Sequence, residues 1–297
     1  MIALIFGING QDGYYLNEIC KSKAISVIGV SRTNSNWLLG DISDYNFVET
    51  LIKEKKPEYI FHLAANSTTR HDAIFENHES ISTGTINVLE AAYRHSPKSK
   101  IFLSGSAMQF KNDNQAIDEN TEFHASSPYS VARIQSVYAG RYFREKHNMQ
   151  VYVGYFFNHD SPLRNEYHVN QKIVRAAQRI ANGSKEILEI GNIKVQKEFN
   201  FAGDMMEAVW SLVNQDKEFE LVLGSGKPYS IEYWIQLCFE KLNLNWKEHI
   251  RLNEKFVAEY EKLYCNPERL MNLGFKPSVD VTKLCDLMLI PNSELKR

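Results

Sequence analysis

The 297-residue chain sets 34 Lys and Arg against 36 Asp and Glu, a formal net charge of −2, with 43% hydrophobic residues. That balance suits a globular enzyme and excludes the broad basic excess of a nucleic-acid binder. The scattered Cys20, Cys238, Cys265 and Cys285 show no metal-ligand spacing, and no apolar run approaches the roughly 18 residues of a membrane helix. The apolar run at 2–6 is too short for a secretory signal, so a cytoplasmic location with reduced thiols and no membrane partner is expected.

Taken in chain order, short apolar runs at 2–6, 25–30, 59–63, 100–103 and 151–157 read as buried strands. Amphipathic segments at 14–20, 45–55, 73–95 and 128–147 read as the helices between them. This alternation predicts an α/β fold, a Rossmann-type doubly wound parallel sheet with helices on both faces. Beyond residue 158 helical segments dominate, at 172–182, 204–214 and 231–242, with a short strand at 221–223. The expected division is a dinucleotide-binding unit over 1–158 and a smaller, mostly helical substrate-binding region over 159–297, with some late segments returning to the main sheet.

The sharpest local signal follows the first strand: Gly7-Ile8-Asn9-Gly10-Gln11-Asp12-Gly13 opens a helical pattern. Glycines there permit a tight turn and close approach to a pyrophosphate, which the free N–H groups of a helix start then bind. The second strand ends Val30-Ser31-Arg32 with no acidic residue beside it. Arginine at that point accommodates a 2′-phosphate, which favours NADP while leaving NAD open. Asp41, followed by Ile42, is placed to meet the adenine amine. Leu63, Ala64 and Ala65 close the next strand with small residues that let a cofactor cross the sheet edge.

These segments resemble the extended short-chain dehydrogenase/reductases, and among them the GDP-mannose 4,6-dehydratase branch. The glycine segment is similar to GITGQDG of that branch. Phe157-Asn158-His159-Asp160-Ser161-Pro162-Leu163-Arg164 resembles its FNHESPRR, and His168-Val169-Asn170-Gln171-Lys172-Ile173 its FVTRKI. Gly191-Asn192 opens the stretch corresponding to GN…RDWGHAKDY, and Leu273-Gly274-Phe275-Lys276-Pro277 matches LNWKP. The resemblance spans nearly the whole chain. It implies a tightly held nicotinamide cofactor that oxidises a nucleotide-linked sugar, GDP-linked in this branch, at C4. In the dehydratases a glutamate then removes the C5 proton, water leaves from C6, and hydride returns to C6.

Tyr129 and Arg133 lie where the family has YxxxK, and an i, i+4 pair shares one helix face. The resemblance makes Tyr129 the acid/base at the C4 oxygen. A phenol's ordinary pKa of about 10 calls for a nearby cation, here arginine instead of lysine. Ser106 falls in the family's STSE segment and can hydrogen-bond the same oxygen. Met108 stands where that segment has its glutamate, and a thioether cannot take a proton from carbon. Asp113, Asp118 and Glu119 are the nearby acids that could substitute.

For the substrate, the resemblance points to Ser106, Met108, Asn158, Arg164, Lys172 and Lys197. Lys197 takes the place of the arginine in RDWGH. The family's insertion between the second strand and Asp41 is mostly absent, so a homodimer is expected. His71, His78, His95 and His124 form no metal pattern. His159 reads equally as loop-orienting or ligand-contacting, Asp204 as a helix cap, and Tyr233, Trp234 and Phe239 as core. Three functions stay open: a C4 oxidoreductase without dehydration (dehydrogenase, 4-keto reductase or epimerase), a 4,6-dehydratase with a relocated base, and a cofactor or nucleotide-sugar binding protein without turnover.

Overall fold

The computed structural model describes residues 1–33, 36–66, 68–253 and 255–290. Asn34 and Ser35, in the shortened stretch before Asp41, and residues 291–297, the end of the expected second unit, lie outside the described residues.

A seven-stranded parallel sheet organises the chain. Its first six strands are β1 (Ile2–Phe6), β2 (Ser26–Ser31), β3 (Leu38–Leu39), β4 (Tyr59–His62), β5 (Lys100–Ser106) and β6 (Gln150–Phe156). Four of these are buried almost throughout, which is why they read as continuous apolar runs instead of alternating ones. The spatial order is β3-β2-β1-β4-β5-β6, completed beyond β6 by a late strand, Glu220–Leu223. The chain leaves β1 toward β2 and returns on the other side at β4. That reversal opens a crevice at the carboxyl ends of β1 and β4, the position at which such sheets bind nucleotides. The fold is thus the doubly wound Rossmann type expected.

Helices α1 (Gln11–Ser22) and α2 (Tyr45–Lys55) connect the first strands. The single helix expected over 73–95 is broken in two. A 3-10 turn at His71–Ala73 leads into α3 (Ile74–Asn77), a π-type turn at His78–Thr83 and α4 (Gly84–His95). Ser80 Oγ donates to the Glu76 carbonyl at 2.6 Å, and Asn77 Nδ2 to the Thr68 carbonyl at 3.0 Å. Side chains that bond the backbone in this way compete with the regular helical ladder. The break brings Ser80 to the crevice wall and Ile81 against Tyr129. Helix α5 (Pro128–His147) starts where predicted, because Ser127 and Ser130 form a capping box and Pro128 occupies the first turn.

Beyond β6 come β7 (His159–Asp160), α6 (Val169–Ala181), β8 (Leu188–Ile190), β9 (Gln196–Glu198) and β10 (Asn200–Phe201). These are followed by α7 (Ala202–Val213), β11 (Glu220–Leu223), β12 (Pro228–Ser230), α8 (Ile231–Glu240), β13 (Ile250–Leu252), β14 (Lys262–Leu263), α9 (Glu268–Asn272) and α10 (Val281–Met288). Helices α6, α8 and α10 enclose a separate apolar core around Trp234 and Phe239. Tyr233, expected in that core, is 39% exposed and stacks instead on Tyr229. Helix α7 returns to the sheet, its Met205, Met206 and Val209 sharing a core with β1 and α1. Asp204 is not a cap: it sits inside the first turn of α7 and accepts from the Ser278 and Val279 amides at 2.9 and 3.0 Å and from Ser278 Oγ at 2.6 Å. It pins the approach to α10. The four cysteines are free and buried, and no described helix is long and apolar enough to cross a membrane.

Candidate active site

The crevice at the head of the sheet is built mainly from backbone. Gly7 has φ +91°, and a Cβ there would lie 2.7 Å from the Ala64 amide nitrogen. A Cβ on Gly13 would meet the Gly7 carbonyl at 2.6 Å. Glycine therefore lets the turn, the strand end at 63–65 and α1 close on one another. Helix α1 starts at Gly10 without a side-chain cap, so its first N–H groups are offered to a ligand. The resulting cavity, about 210 Å³, is lined by Gly7, Gly10, Arg32, Ile42 and the strand end Leu63, Ala64 and Ala65. This cradle fits a dinucleotide's phosphates and adenosine.

Three residues that sequence reasoning passed over join it. Asn9 Nδ2 donates to Ser31 Oγ at 2.6 Å and to Thr33 Oγ1 at 3.1 Å, which gathers an amide and two hydroxyls beside Arg32. The available signal was the hydroxyl on each side of Arg32. Asp41 Oδ1 accepts from the Ser43 amide and hydroxyl, both at 2.9 Å, which shapes the turn into α2.

Leu63 also lines a second cavity, about 380 Å³, over the ends of β4, β5 and β6. Ser106, Met108, Tyr129, Arg133, Asn158, Arg164 and Lys197 all border it, so the sequence-predicted reaction residues converge. Ser106 Oγ accepts from the Met108 amide at 3.2 Å within a capping box with Gln109. That bond uses a lone pair and leaves the hydroxyl proton free to donate. Arg133 is buried and hydrogen-bonds the Ser104 carbonyl and, at 2.6 Å, Ser104 Oγ. Its guanidinium carbon lies 5.1 Å from the centre of the Tyr129 ring. The cation thus faces the phenol ring while being anchored to β5. His62 adds no charge beside it, because burial first and Arg133 second push the imidazole down to about 3 and leave it neutral.

None of the three substitute acids reaches this cavity. Asp113 pairs with Lys111, Asp118 caps a turn with Thr121, and Glu119 accepts from the Val222 amide at 2.9 Å. The carboxylates that do line it are Asp12, Asp160 and Glu259. Met108 packs with Ala65 against Ile81, Tyr129 and Ala132.

The two most specific motifs meet in space. His159 Nε2 lies 3.0 Å from Asp12 Oδ1, and His159 Nδ1 faces the Phe157 carbonyl at 2.8 Å. Burial opposes charge on both side chains, but their mutual attraction prevails, raising the histidine and lowering the aspartate. Ser161 Oγ donates to Gln11 Oε1 at 2.9 Å. Gln11 and Asp12 therefore clamp the 157–161 loop to the glycine turn, and His159 is a loop-orienting residue. Asp160, also buried, accepts from Arg164 Nε at 3.0 Å and from Asn170 Nδ2 at 2.5 Å. Lys197 is buried beside them. Burial lowers it to about 8, opposed by Asp160 and reinforced by Arg164. Two cations share one carboxylate, which leaves positive charge toward the cavity. The Asn158 and Asn170 Oδ1 atoms are buried without partners at its wall.

A third cavity, about 530 Å³, shares Val169, Lys197, Glu259 and Tyr260 with the second. Lys172 lines it, but its Nζ is exposed and held at 3.0 Å by the Glu189 carbonyl. Lys172 and Lys197 thus both line this third cavity, while Arg164 lines the second. Among the described residues no group of three potential ligands could hold a metal ion.

Comparison with known proteins gives a consistent relationship. GDP-mannose 4,6 dehydratase 1 of Arabidopsis thaliana is 30% identical over a 330-residue alignment that covers 100% of this chain and 91% of the relative. GDP-mannose 4,6 dehydratase 2 of the same plant is 31% identical, covering 100% and 88%. Among solved structures, RMD from Pseudomonas aeruginosa complexed with NADPH superposes with a TM-score of 0.82 at 19% identity, covering 97% of each chain. The UDP-glucose 4-epimerase of Thermus thermophilus, complexed with NAD, gives 0.83 at 16% identity, covering 97% and 98%. A family profile described as GDP-mannose 4,6 dehydratase matches residues 4–288. The chain therefore belongs to the GDP-mannose 4,6 dehydratase family, within the extended short-chain dehydrogenase/reductases.

Proposed function

We propose that the protein is an NADP-dependent oxidoreductase acting at C4 of a nucleotide-linked hexose or its 4-keto derivative, without proton removal from C5. One observation carries this reading. Tyr129 and Ser106 line a cavity that shares Leu63 with the glycine crevice, and a thioether, Met108, lines it at the position where the resemblance puts the family's base. Relatives named for a GDP-mannose dehydratase, and neighbours solved with NADPH or NAD, support the substrate and cofactor classes. NADP is preferred to NAD because Arg32, Ser31, Thr33 and Asn9 gather cationic and neutral donors where a 2′-phosphate would sit.

Bound in the crevice, a nicotinamide dinucleotide supplies hydride donor or acceptor chemistry at C4. The protein's part is to hold the sugar and handle the proton. Tyr129 delivers the proton to, or takes it from, the C4 oxygen, and Ser106 donates a hydrogen bond to the same oxygen. Arg133 presents positive charge to the Tyr129 ring from its anchor on β5. The unpartnered amide oxygens of Asn158 and Asn170 offer acceptors for sugar hydroxyls, and Arg164 with Lys197 faces the diphosphate. A mixture of GDP-hexoses or 4-keto-hexose nucleotides with NADP(H) should change the absorbance of reduced nicotinamide. No change with any of them contradicts the reading.

A second reading, a 4,6-dehydratase with a relocated base, has one observation in its favour. Glu259 lines the reaction cavity, bonded to Thr69 Oγ1 at 2.5 Å. If it is the base, the parent protein makes a 4-keto-6-deoxy product and Glu259→Gln abolishes it. On the first reading only a Met108→Glu variant gains that product.

A further inference from the structure

The third cavity shows how a base could be chosen. Strand β8 alternates: Leu188 and Ile190 enter the apolar core enclosed by α6, α8 and α10, and Glu189 between them lines the cavity. Across it, β13 pairs in parallel with β8, and the Asn253 amide following that strand donates to the Ile190 carbonyl at 2.7 Å. Asn253 Nδ2 then donates to Glu189 Oε1 at 2.8 Å. This bond fixes the carboxylate yet occupies one lone pair only, leaving both oxygens able to accept. The rings of Tyr167 and Phe256 lie exposed on the cavity wall, which suits stacking on a planar ligand. Lys197, shared with the reaction cavity, marks the side on which a diphosphate would run.

Guanine is the one common nucleobase with two adjacent N–H donors on its pairing edge, at N1 and N2. A carboxylate accepts both in parallel, as it does from an arginine fork. Adenine, cytosine and uracil each set an acceptor beside the donor, and that acceptor would face the carboxylate's lone pairs. We infer that Glu189, held by Asn253, reads the edge of a guanine and makes the protein selective for guanosine diphosphate sugars. The inference rests on the nucleotide-sugar reading above but adds a named selector that neither the motifs nor the comparisons supply.

The test is calorimetric titration of the full chain, saturated with NADPH so that the crevice is closed to competitors. The probes are GDP, inosine diphosphate (which lacks the N2 amino group) and UDP. The parent should bind GDP about tenfold or more tightly than inosine diphosphate, the loss expected for one charge-assisted hydrogen bond. In Glu189→Ala and Glu189→Gln that ratio should fall to within about twofold of one, with NADPH affinity unchanged. Equal affinity for GDP and inosine diphosphate in the parent, or a preference that survives both substitutions, overturns the assignment of Glu189 alone. If none of the three diphosphates binds, the nucleotide-sugar reading falls with it.

Discussion

The glycine crevice and the reaction cavity share Leu63 in their walls but are built by different means. The crevice is made of backbone: an uncapped helix start, a left-handed glycine and a strand end packed against it. The reaction cavity is made of side chains, among them Arg133 and Met108, which stand where the resemblance to the family implies a lysine and a glutamate. A backbone site can keep its ligand while neighbouring side chains change. A side-chain site changes its chemistry with one residue. The fold and cofactor class therefore follow from the first region, and the reaction has to be argued from the second.

The largest effect that would break this contrast is in the cavity. Tyr129→Phe should lower kcat about a thousandfold while leaving NADPH affinity within a factor of about two, as expected for loss of a general acid/base. Steady-state rates and fluorescence titration check it, and unchanged turnover would remove Tyr129 from the chemistry. Next comes the crevice. Gly7→Val adds a Cβ against the Ala64 amide at a positive φ, so cofactor affinity should fall about a hundredfold with the circular dichroism of the fold retained. Arg32→Ala should cost about tenfold in NADPH affinity and little in NADH affinity, since only the former carries the 2′-phosphate. Equal losses for both cofactors would place Arg32 elsewhere.

The smallest effect concerns pH and sharpens the boundary between the two regions. Lys197 is pushed down to about 8 by burial, with Asp160 opposing that shift. Its charged form is present below that value and is the form that attracts a diphosphate. GDP affinity should therefore be highest at about pH 7 and fall several-fold by about pH 9, while NADPH affinity stays level. Lys197→Met should flatten the GDP profile. A profile that rises with pH contradicts the sign.

Much of this architecture was legible because local chemistry dictated it. Ser127, Pro128 and Ser130 mark the start of α5, and buried parallel strands read as apolar runs. What escaped was fixed by contacts distant in sequence. Nothing near Asp204 announces the Ser278 amide 74 residues away. The glycine segment does not say that Asp12 will pair with His159. The break in the helix over 73–95 coincides with Ser80 bonding the Glu76 carbonyl, where a polar face alone reads as solvated helix. Met108 was legible as a missing base, whereas the anchoring of Arg133 on Ser104 was not, since an i, i+4 spacing gives the shared face but not the partner.

The most direct measurement of the central claim is turnover in D2O with NADP(H) and GDP-hexoses or their 4-keto derivatives, followed by NMR of the recovered sugar. The expected result is oxidation or reduction at C4, with any hydrogen added there being protium from the cofactor, and protium retained at C5. Deuterium at C5 together with a 4-keto-6-deoxy product would contradict it.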